Sequence, residues 1–133
     1  MGVRGLDHLA ITVADMDATL DFYKRVFGAH THYEDEFRKG DIPVVILQVG
    51  ASRVSVHVAA SPASPHAFVP QPGSADVCFR WDGSIEEAQA KLKQEGVEVI
   101  EGPVPRPSAD GLSGQSVYFR DPDENLLEWL TTD

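Results

Sequence analysis

Hydrophobic and polar residues alternate at the start of the chain and then change to a helical spacing. In residues 6–13, apolar side chains occupy every second position, which is typical of a strand with one buried face. Apolar residues then recur every three or four positions from Met16 to Phe27. Asp15 precedes them as an N-cap, and Gly28 follows at a position suited to end a helix. The pattern predicts a strand followed by an amphipathic helix.

The remaining elements of the first half are predicted to be strands. Alternating or continuous apolar runs separated by turn residues predict them at 29–37, 42–49 and 52–59. The first half is therefore predicted to be β-α-β-β-β. A proline-rich segment follows at 61–73, and because proline disrupts helices and central strands we expect an extended linker there.

The second half repeats this order of elements. Ser84 and Glu87 form a capping box before a predicted helix over 85–95, which Gly96 closes. The predicted strands cover residues 75–81, 97–101, 115–120 and 125–131. Segment 102–114 has no strand or helix pattern, so we expect a long loop. In that loop, Arg106 is expected either to meet an anionic group of a substrate or to be a solvated surface residue.

Equivalent positions in the two halves are separated by a constant interval. Gly28 and Gly96 are 96 − 28 = 68 positions apart, and His8 and Asp76 are 76 − 8 = 68 apart. This interval predicts an α+β fold with two paired βαβββ modules. The modules form a curled mixed sheet with a concave cavity and helices outside. We expect module boundaries at 1–60 and 74–133, joined by the linker 61–73.

The net charge and the cysteine content indicate which classes of partner and which cellular compartment to expect. The chain has 133 residues, of which 21 are acidic and 11 basic, for a net charge of −10. This balance disfavours nucleic acid and anionic membrane surfaces, so we expect a small-molecule ligand. Cys78 is the single cysteine, and no apolar run approaches the roughly 20 residues of a membrane span. The N-terminus also lacks a signal-peptide pattern, so a cytoplasmic protein is expected.

Strand alternation assigns residues to two faces. We expect one face beneath the helices and the other lining the cavity. The expected helix-facing set is Leu9, Ile11, Val13, Val54, Val56, Val58, Val77, Phe79, Trp81, Leu127 and Trp129. The expected cavity set is His8, Ala10, Thr12, Arg53, Ser55, His57, Asp76, Cys78, Arg80, Leu126, Glu128 and Leu130.

Four metal-competent side chains fall in the cavity set: His8, His57, Asp76 and Glu128. Two imidazoles and a carboxylate form a ligand set that leaves positions open for substrate on a divalent metal. A metal would also account for Glu128, whose charge lies between Leu127 and Trp129 and is costly to bury unpaired. The simpler interpretations are hydrogen-bonded scaffold histidines, a Glu128 facing solvent, and an Asp76 bonded to a neighbouring strand or turn.

Two stretches resemble a known family. "LDHLAITVADMDATLDFYKRVFG" near the start and "VYFRDPDENLLEW" near the end are similar to the vicinal oxygen chelate superfamily, over about residues 5–131. That superfamily includes glyoxalase I, fosfomycin and bleomycin resistance proteins and extradiol dioxygenases. "EGPVPR" and "PGSADVCF" resemble its glyoxalase-domain-containing branch.

The resemblance implies a site with one divalent metal ion, which could be Zn, Ni, Fe, Mn or Co. Its first-strand ligand matches His8 and its last-strand ligand matches Glu128. His57 stands where glyoxalase I typically carries Glu, and Asp76 stands where it typically carries His. We therefore expect His8, His57 and Glu128 as metal ligands, with Asp76 as a fourth ligand or a substrate contact.

The resemblance further implies a glyoxalase I-like lyase or isomerase with Glu128 as the catalytic base, and a homodimer. Two alternatives stay open. The same site could serve an extradiol-type dioxygenase or a fosfomycin-type thiol transferase. Without a metal, the cavity would instead suit a non-catalytic protein that sequesters a drug, as bleomycin-resistance-like proteins do.

Overall fold

The computed structural model describes residues 1–133, which form two compact units, Met1–Pro72 and Gly73–Asp133. Each unit contains a four-stranded mixed sheet, so the fold is α+β as predicted. The longest helix has 12 residues, and none has the length and apolar character needed to cross a bilayer. The elements are β1 (Leu9–Val13), α1 (Met16–Phe27), β2 (His30–His32), α2 (Glu34–Arg38), β3 (Val44–Val49), β4 (Ser52–Val58), β5 (Asp76–Arg80), α3 (Ile85–Gln94), β6 (Glu101–Pro107), β7 (Ser113–Arg120) and β8 (Leu126–Thr131).

The first unit is a sheet with strand order β1-β4-β3-β2, in which β1 runs parallel to β4 and the other pairs are antiparallel. Helix α1 begins where the side chain of Asp15 accepts a 3.2 Å hydrogen bond from the Ala18 N–H, and it ends at Gly28 with φ 64°. Both ends confirm the prediction. The buried face of the helix packs on β3 and β4 through Leu20, Tyr23 and Val26 and their neighbours.

The second unit has the equivalent order, β5-β8-β7-β6, with β5 parallel to β8. The capping box at the start of α3 is present: Ser84 and Glu87 exchange hydrogen bonds of 2.9 and 3.1 Å. Helix α3 covers the sheet face that carries Phe119 and Trp129, which pack edge to face. The matching strand orders agree with the 68-residue interval in the sequence.

One predicted strand of the first half is wrong over most of its length. The predicted strand 29–37 is a strand only at His30–His32, after which the chain turns and forms α2. Tyr33 has φ 71°, a left-handed conformation that no strand pattern reveals. Three acidic residues then occupy the first helical turn, where the helix dipole favours negative charge.

The predicted strand 97–101 and the predicted loop 102–114 are also wrong. The strand begins at Glu101 and continues to Pro107, so most of the expected loop is the β6–β7 hairpin. Strand β6 is at the edge of its sheet and pairs only with β7, so prolines that lack an N–H donor are tolerated there. Gly102, at the bulge in this pairing, has φ 110° and lies against the Ser116 carbonyl, which leaves no room for a Cβ.

The predicted division into two faces agrees with burial at the strand centres. Ile11, Val56 and Leu127 of the helix-facing set are buried. Leu9 of that set is 39% exposed, because it lies at the first residue of β1. The face of each sheet that points away from its helix is called the open face below. Ser55 and Leu130 lie on this face and are buried, although we assigned them to the set that lines the cavity.

A charged cluster joins α1 to α2. Glu34 accepts hydrogen bonds from Lys24 Nζ at 2.9 Å and from Arg38 Nη2 at 3.1 Å, and Arg38 also donates to Asp17 at 2.8 Å. The hydrogen bond from Lys24 is the main cause that lowers the pKa of Glu34 from 4.5 to about 2, with smaller contributions from Thr31 and Arg38; partial burial opposes the shift.

Replacing this carboxylate should weaken the fold in a pH-dependent way. Because the folded-state pKa of Glu34 is depressed, its charge stabilises the protein above about pH 4.5, and the stabilisation is lost as pH falls towards 2. We expect Glu34→Gln to lower the free energy of unfolding by about 1 kcal/mol at pH 7 and by progressively less below pH 4.5, as measured by urea unfolding. Glu36→Gln, on the exposed side of the same helix, is the control. An equal loss at pH 7 and pH 3 would contradict the assignment.

Candidate functional site

His57 lies in β4, the strand between β1 and β3, and its side chain is half-buried. Its Nε2 is 3.2 Å from the Ser55 hydroxyl oxygen on the same face. Burial lowers the pKa of His57 below 6.5, and the charges of His8 and His66 when protonated add to this shift. The imidazole is therefore neutral at pH 7, the form in which histidine binds metals.

His8 lies just before β1, and its side chain is 48% exposed. Its Nδ1 is 2.8 Å from Asp7 Oδ1, which orients the ring. The register pairs His57 with Thr12, four residues beyond His8 along β1. His8, which precedes β1, and His57 of the adjacent β4 thus influence each other electrostatically within one unit, but they are not direct cross-strand neighbours.

Glu128 lies at the centre of β8, which has β5 on one side and β7 on the other. Cys78 and Tyr118 are its register partners on those strands. The hydroxyl of Ser116, a fully buried residue, donates a 2.5 Å hydrogen bond to Glu128 Oε2. Polar side chains of the neighbouring strands thus surround the charge of Glu128, which would be costly to bury without a partner.

Tyr118 links Glu128 to a guanidinium group. Arg106 Nε donates to the Tyr118 hydroxyl oxygen at 2.9 Å, and Arg106 Nη2 donates to Glu101 at 3.2 Å. The guanidinium carbon lies 5.6 Å from the centre of the tyrosine ring. Partial burial raises the pKa of Tyr118, opposed by Arg106, and the charge and hydrogen bonding of Glu128 raise it further. Arg106 therefore lies in strand β6 beside this group, and not in the long loop expected from the sequence.

Cys78 and Asp76 lie on the same face of β5. Cys78 is an exposed residue whose thiol donates to the Phe79 carbonyl oxygen at 3.9 Å, and Glu128 is its register partner on β8. Although the residue is exposed, partial burial of the thiol is the largest cause that raises the pKa of Cys78 to about 12, followed by Glu128; Arg80 opposes the shift and Asp76 adds slightly to it. Asp76 is exposed at the first residue of the strand, opposite Leu126.

The predicted ligands are thus found as two pairs, His8 with His57 in the first unit and Asp76 with Glu128 in the second. Within either unit, no group of three or more His, Cys, Asp or Glu side chains is arranged to hold a metal ion. That His8, His57 and Glu128 bind one ion stays a prediction.

Sequence reasoning missed the residues that hold Glu128. Ser116 and Tyr118 alternate with the buried Val117 and Phe119 along β7. This period-two alternation is visible in the sequence and places the serine and the tyrosine on one face. The register that brings that face to Glu128 is not visible in the sequence.

The reactivity of Cys78 should report on the charge of Glu128. With a pKa of about 12, the thiol is protonated at pH 8 although the residue is exposed, and only the thiolate reacts quickly with alkylating reagents. Because Cys78 is the single cysteine, iodoacetamide labelling followed by mass spectrometry measures its rate directly. We expect labelling at least about 10-fold slower than for a free cysteine peptide, and acceleration by Glu128→Gln.

Glu98→Gln is the control for this measurement, because Glu98 is exposed and lies outside the β5–β8–β7 contacts around Glu128. A labelling rate that Glu128→Gln leaves unchanged would contradict the contact between the thiol and this carboxylate.

Sequence comparison places the chain among known proteins. Residues 5–129 match the family model of the Glyoxalase/Bleomycin resistance protein/Dioxygenase superfamily. Glyoxalase domain-containing protein RDO1 of Mycosarcoma maydis is 44% identical over 96% of this chain and 68% of its own length. Virulence protein STM3117 of Salmonella typhimurium is 37% identical over 96% of this chain and 84% of its own. Metallothiol transferase FosB of Shouchella clausii is 28% identical over 95% and 79%.

The chain is also similar to several solved structures. The crystal structure of virulence protein STM3117 matches with a TM-score of 0.88 and 34% identity over the full length of both chains. Two more distant structures share the fold. Lactoylglutathione lyase from Agrobacterium tumefaciens has a TM-score of 0.70 at 21% identity, covering 98% of this chain and 96% of that one. A point mutant of the fosfomycin resistance protein FosX from Listeria monocytogenes, complexed with Mn(II) and 1S,2S-dihydroxypropylphosphonic acid, has a TM-score of 0.65 at 21% identity, covering 96% and 90%.

The matched segment includes both strand-helix repeats and the two stretches around His8 and Glu128. The chain therefore belongs to the Glyoxalase/Bleomycin resistance protein/Dioxygenase superfamily, the vicinal oxygen chelate proteins.

Proposed function

We propose that this protein is a divalent-metal-dependent lyase or isomerase of the glyoxalase I type, acting on a small substrate with neighbouring oxygen atoms. The observation that carries the proposal is Glu128, a carboxylate that accepts a hydrogen bond from the Ser116 hydroxyl at the centre of an open sheet face. A buried serine hydroxyl committed to a carboxylate indicates an acid group kept in a fixed direction.

The donor set suits a divalent transition metal. We assign His8, His57 and Glu128 as the ligands, with Asp76 as a fourth ligand or a substrate contact. Neutral imidazole and carboxylate suit Zn, Ni, Fe, Mn or Co, and the lowered pKa of His57 keeps that ring in its ligand form. The FosX structure with Mn(II) and the name of FosB support a metal in this superfamily.

In the proposed reaction, a proton moves between adjacent carbons of the substrate. When bound, the metal supplies Lewis acidity that polarises a substrate carbonyl. A carboxylate oxygen of Glu128 takes the proton from the hydroxyl-bearing carbon next to that carbonyl and returns it to the carbonyl carbon. The hydroxyl proton passes to the former carbonyl oxygen, so that the two carbons exchange oxidation states. The name of the lactoylglutathione lyase with this fold supports a substrate formed from a small carbonyl compound and a thiol.

We also propose that the protein is a homodimer. Large apolar side chains of the first unit are exposed, among them Leu6, Phe68 and Val69. Phe68 and Val69 are consecutive in the sequence, and an exposed apolar patch that includes them would suit a surface covered by a protein partner. A second copy of the chain is the partner that the superfamily resemblance implies.

Metal content and activity of matched variants test the proposed function. We expect purified protein to hold about one divalent metal ion per chain by elemental analysis. His8→Ala, His57→Ala and Glu128→Gln should each lose most of that metal. With metal added back in excess, we expect isomerisation of a glutathione hemithioacetal, and Glu128→Gln should reduce kcat by about 10²–10⁴-fold.

His30→Ala is the matched control, since His30 is an exposed histidine of the edge strand β2. It should retain both metal and activity. Activity only on catechols, or only on fosfomycin with a thiol, would assign the same site to a dioxygenase or a thiol transferase. No metal above background, with His8→Ala unchanged, would overturn the proposal in favour of a sequestering protein.

The dimer is tested by sedimentation at micromolar concentration. We expect a species of twice the 14.5 kDa chain mass, 2 × 14.5 = 29.0 kDa. Phe68→Ser should shift the distribution towards monomer, because it removes an exposed apolar side chain. A wild-type protein that sediments only as a monomer would contradict this proposal.

A further inference from the structure

The carboxylate of Glu128 accepts a hydrogen bond from a residue that is not its register partner. Tyr118 is opposite Glu128 on β7, whereas Ser116 is opposite Leu130. The hydrogen bond from Ser116 to Glu128 is therefore diagonal, and diagonal pairs in antiparallel sheets are separated by more than direct pairs. The glutamate side chain must lean along its strand towards Leu130 to reach the hydroxyl.

The hydrogen-bond capacity of these groups fixes the direction of donation. An ionised carboxylate only accepts, so the Ser116 hydroxyl gives its single proton to Glu128 Oε2. Arginine only donates, so the Tyr118 oxygen accepts from Arg106, and its own proton is left for Glu128. The two hydroxyls differ in burial and in partners: Ser116 is fully buried, whereas Tyr118 is half-buried and accepts from an arginine on an edge strand.

The backbone at Ser116 is itself confined. On one side, Gly102 at the β6 bulge lies so close to the Ser116 carbonyl oxygen that a side chain there would collide with it. On the other side, Ser116 pairs with the buried Leu130 of β8. Because its short side chain is also fully buried and its hydroxyl donates to Glu128, we expect that hydroxyl to be a fixed point.

We infer that Ser116 is a positioning residue for Glu128, whose hydroxyl fixes Oε2 and thereby the plane and direction of the carboxylate. This inference rests on the proposed function, since a fixed carboxylate serves a metal ion or a substrate proton. Groups that orient metal ligands from behind commonly contribute about 10- to 100-fold to metal affinity. Ser116 is not expected to touch substrate.

Cobalt binding separates this role from simple packing. Titration of the full chain with Co(II), followed by visible absorption, reports both affinity and ligand geometry. We expect Ser116→Ala to bind about 10- to 100-fold more weakly than wild type with an altered spectrum, and Ser116→Thr, which keeps the hydroxyl, to recover most of the affinity. Ser113→Ala, an exposed serine at the start of the same strand, should bind like wild type. Thermal unfolding of each variant shows whether it is folded.

Crystal structures of wild type and Ser116→Ala without metal provide the second readout. We expect Glu128 to contact Ser116 in wild type and to rotate or occupy several positions in the variant. Equal Co(II) affinity of these two proteins, or an unmoved carboxylate in Ser116→Ala, would overturn the inference. If wild type binds no Co(II), the proposed function fails, and the crystal structures alone decide whether Ser116 positions Glu128.

Discussion

In the second half of this protein, polar side chains of neighbouring strands are arranged around one charged carboxylate. Glu128 lies at the middle of a strand that has neighbours on both sides, where an unpaired charge would be costly. On one flanking strand, Ser116 donates a hydrogen bond to this carboxylate and Tyr118 lies opposite it. On the other, the thiol-bearing Cys78 lies opposite it. Polar side chains therefore surround Glu128 on the face of the sheet away from α3, and this face carries the proposed chemistry.

Both units reach such a face by the same construction. A longer helix, α1 or α3, packs on one side of a four-stranded sheet, and alternation then directs every second residue to the open side. The two faces differ in the groups they carry. The first unit offers the imidazoles of His8 and His57, and the second offers the carboxylates of Asp76 and Glu128. A duplicated scaffold thus carries two complementary kinds of metal donor, which is the basis for proposing a metal enzyme in this superfamily.

Elements with local signals were predicted well, and elements that depend on distant contacts were not. Helices α1 and α3 begin at Asp15 and Ser84 as expected, because a cap is formed by residues three or fewer positions away. The short α2 depends on a left-handed Tyr33, which propensity does not reveal. Strand β6 contains three prolines, which sequence rules exclude from central strands; it forms because this strand lies at a sheet edge and pairs on one side only. The same limit applies to Arg106, whose partner Tyr118 is supplied by that pairing.

The sequence by itself determined the two capped helices, the repeated order of the main elements apart from α2, the alternation of faces along the central strands, and which four side chains are of metal-binding type. These follow from periodicity and residue chemistry, which are local properties of the chain. The tertiary structure alone decided what surrounds Glu128, because the register between β7 and β8 selects which side chains meet across the strands. Alternation along β7 excludes a shift of one residue, which would turn the buried Val117 and Phe119 to the other face. It does not exclude a shift of two residues, which would place Ser116 or Arg120 opposite Glu128 in place of Tyr118.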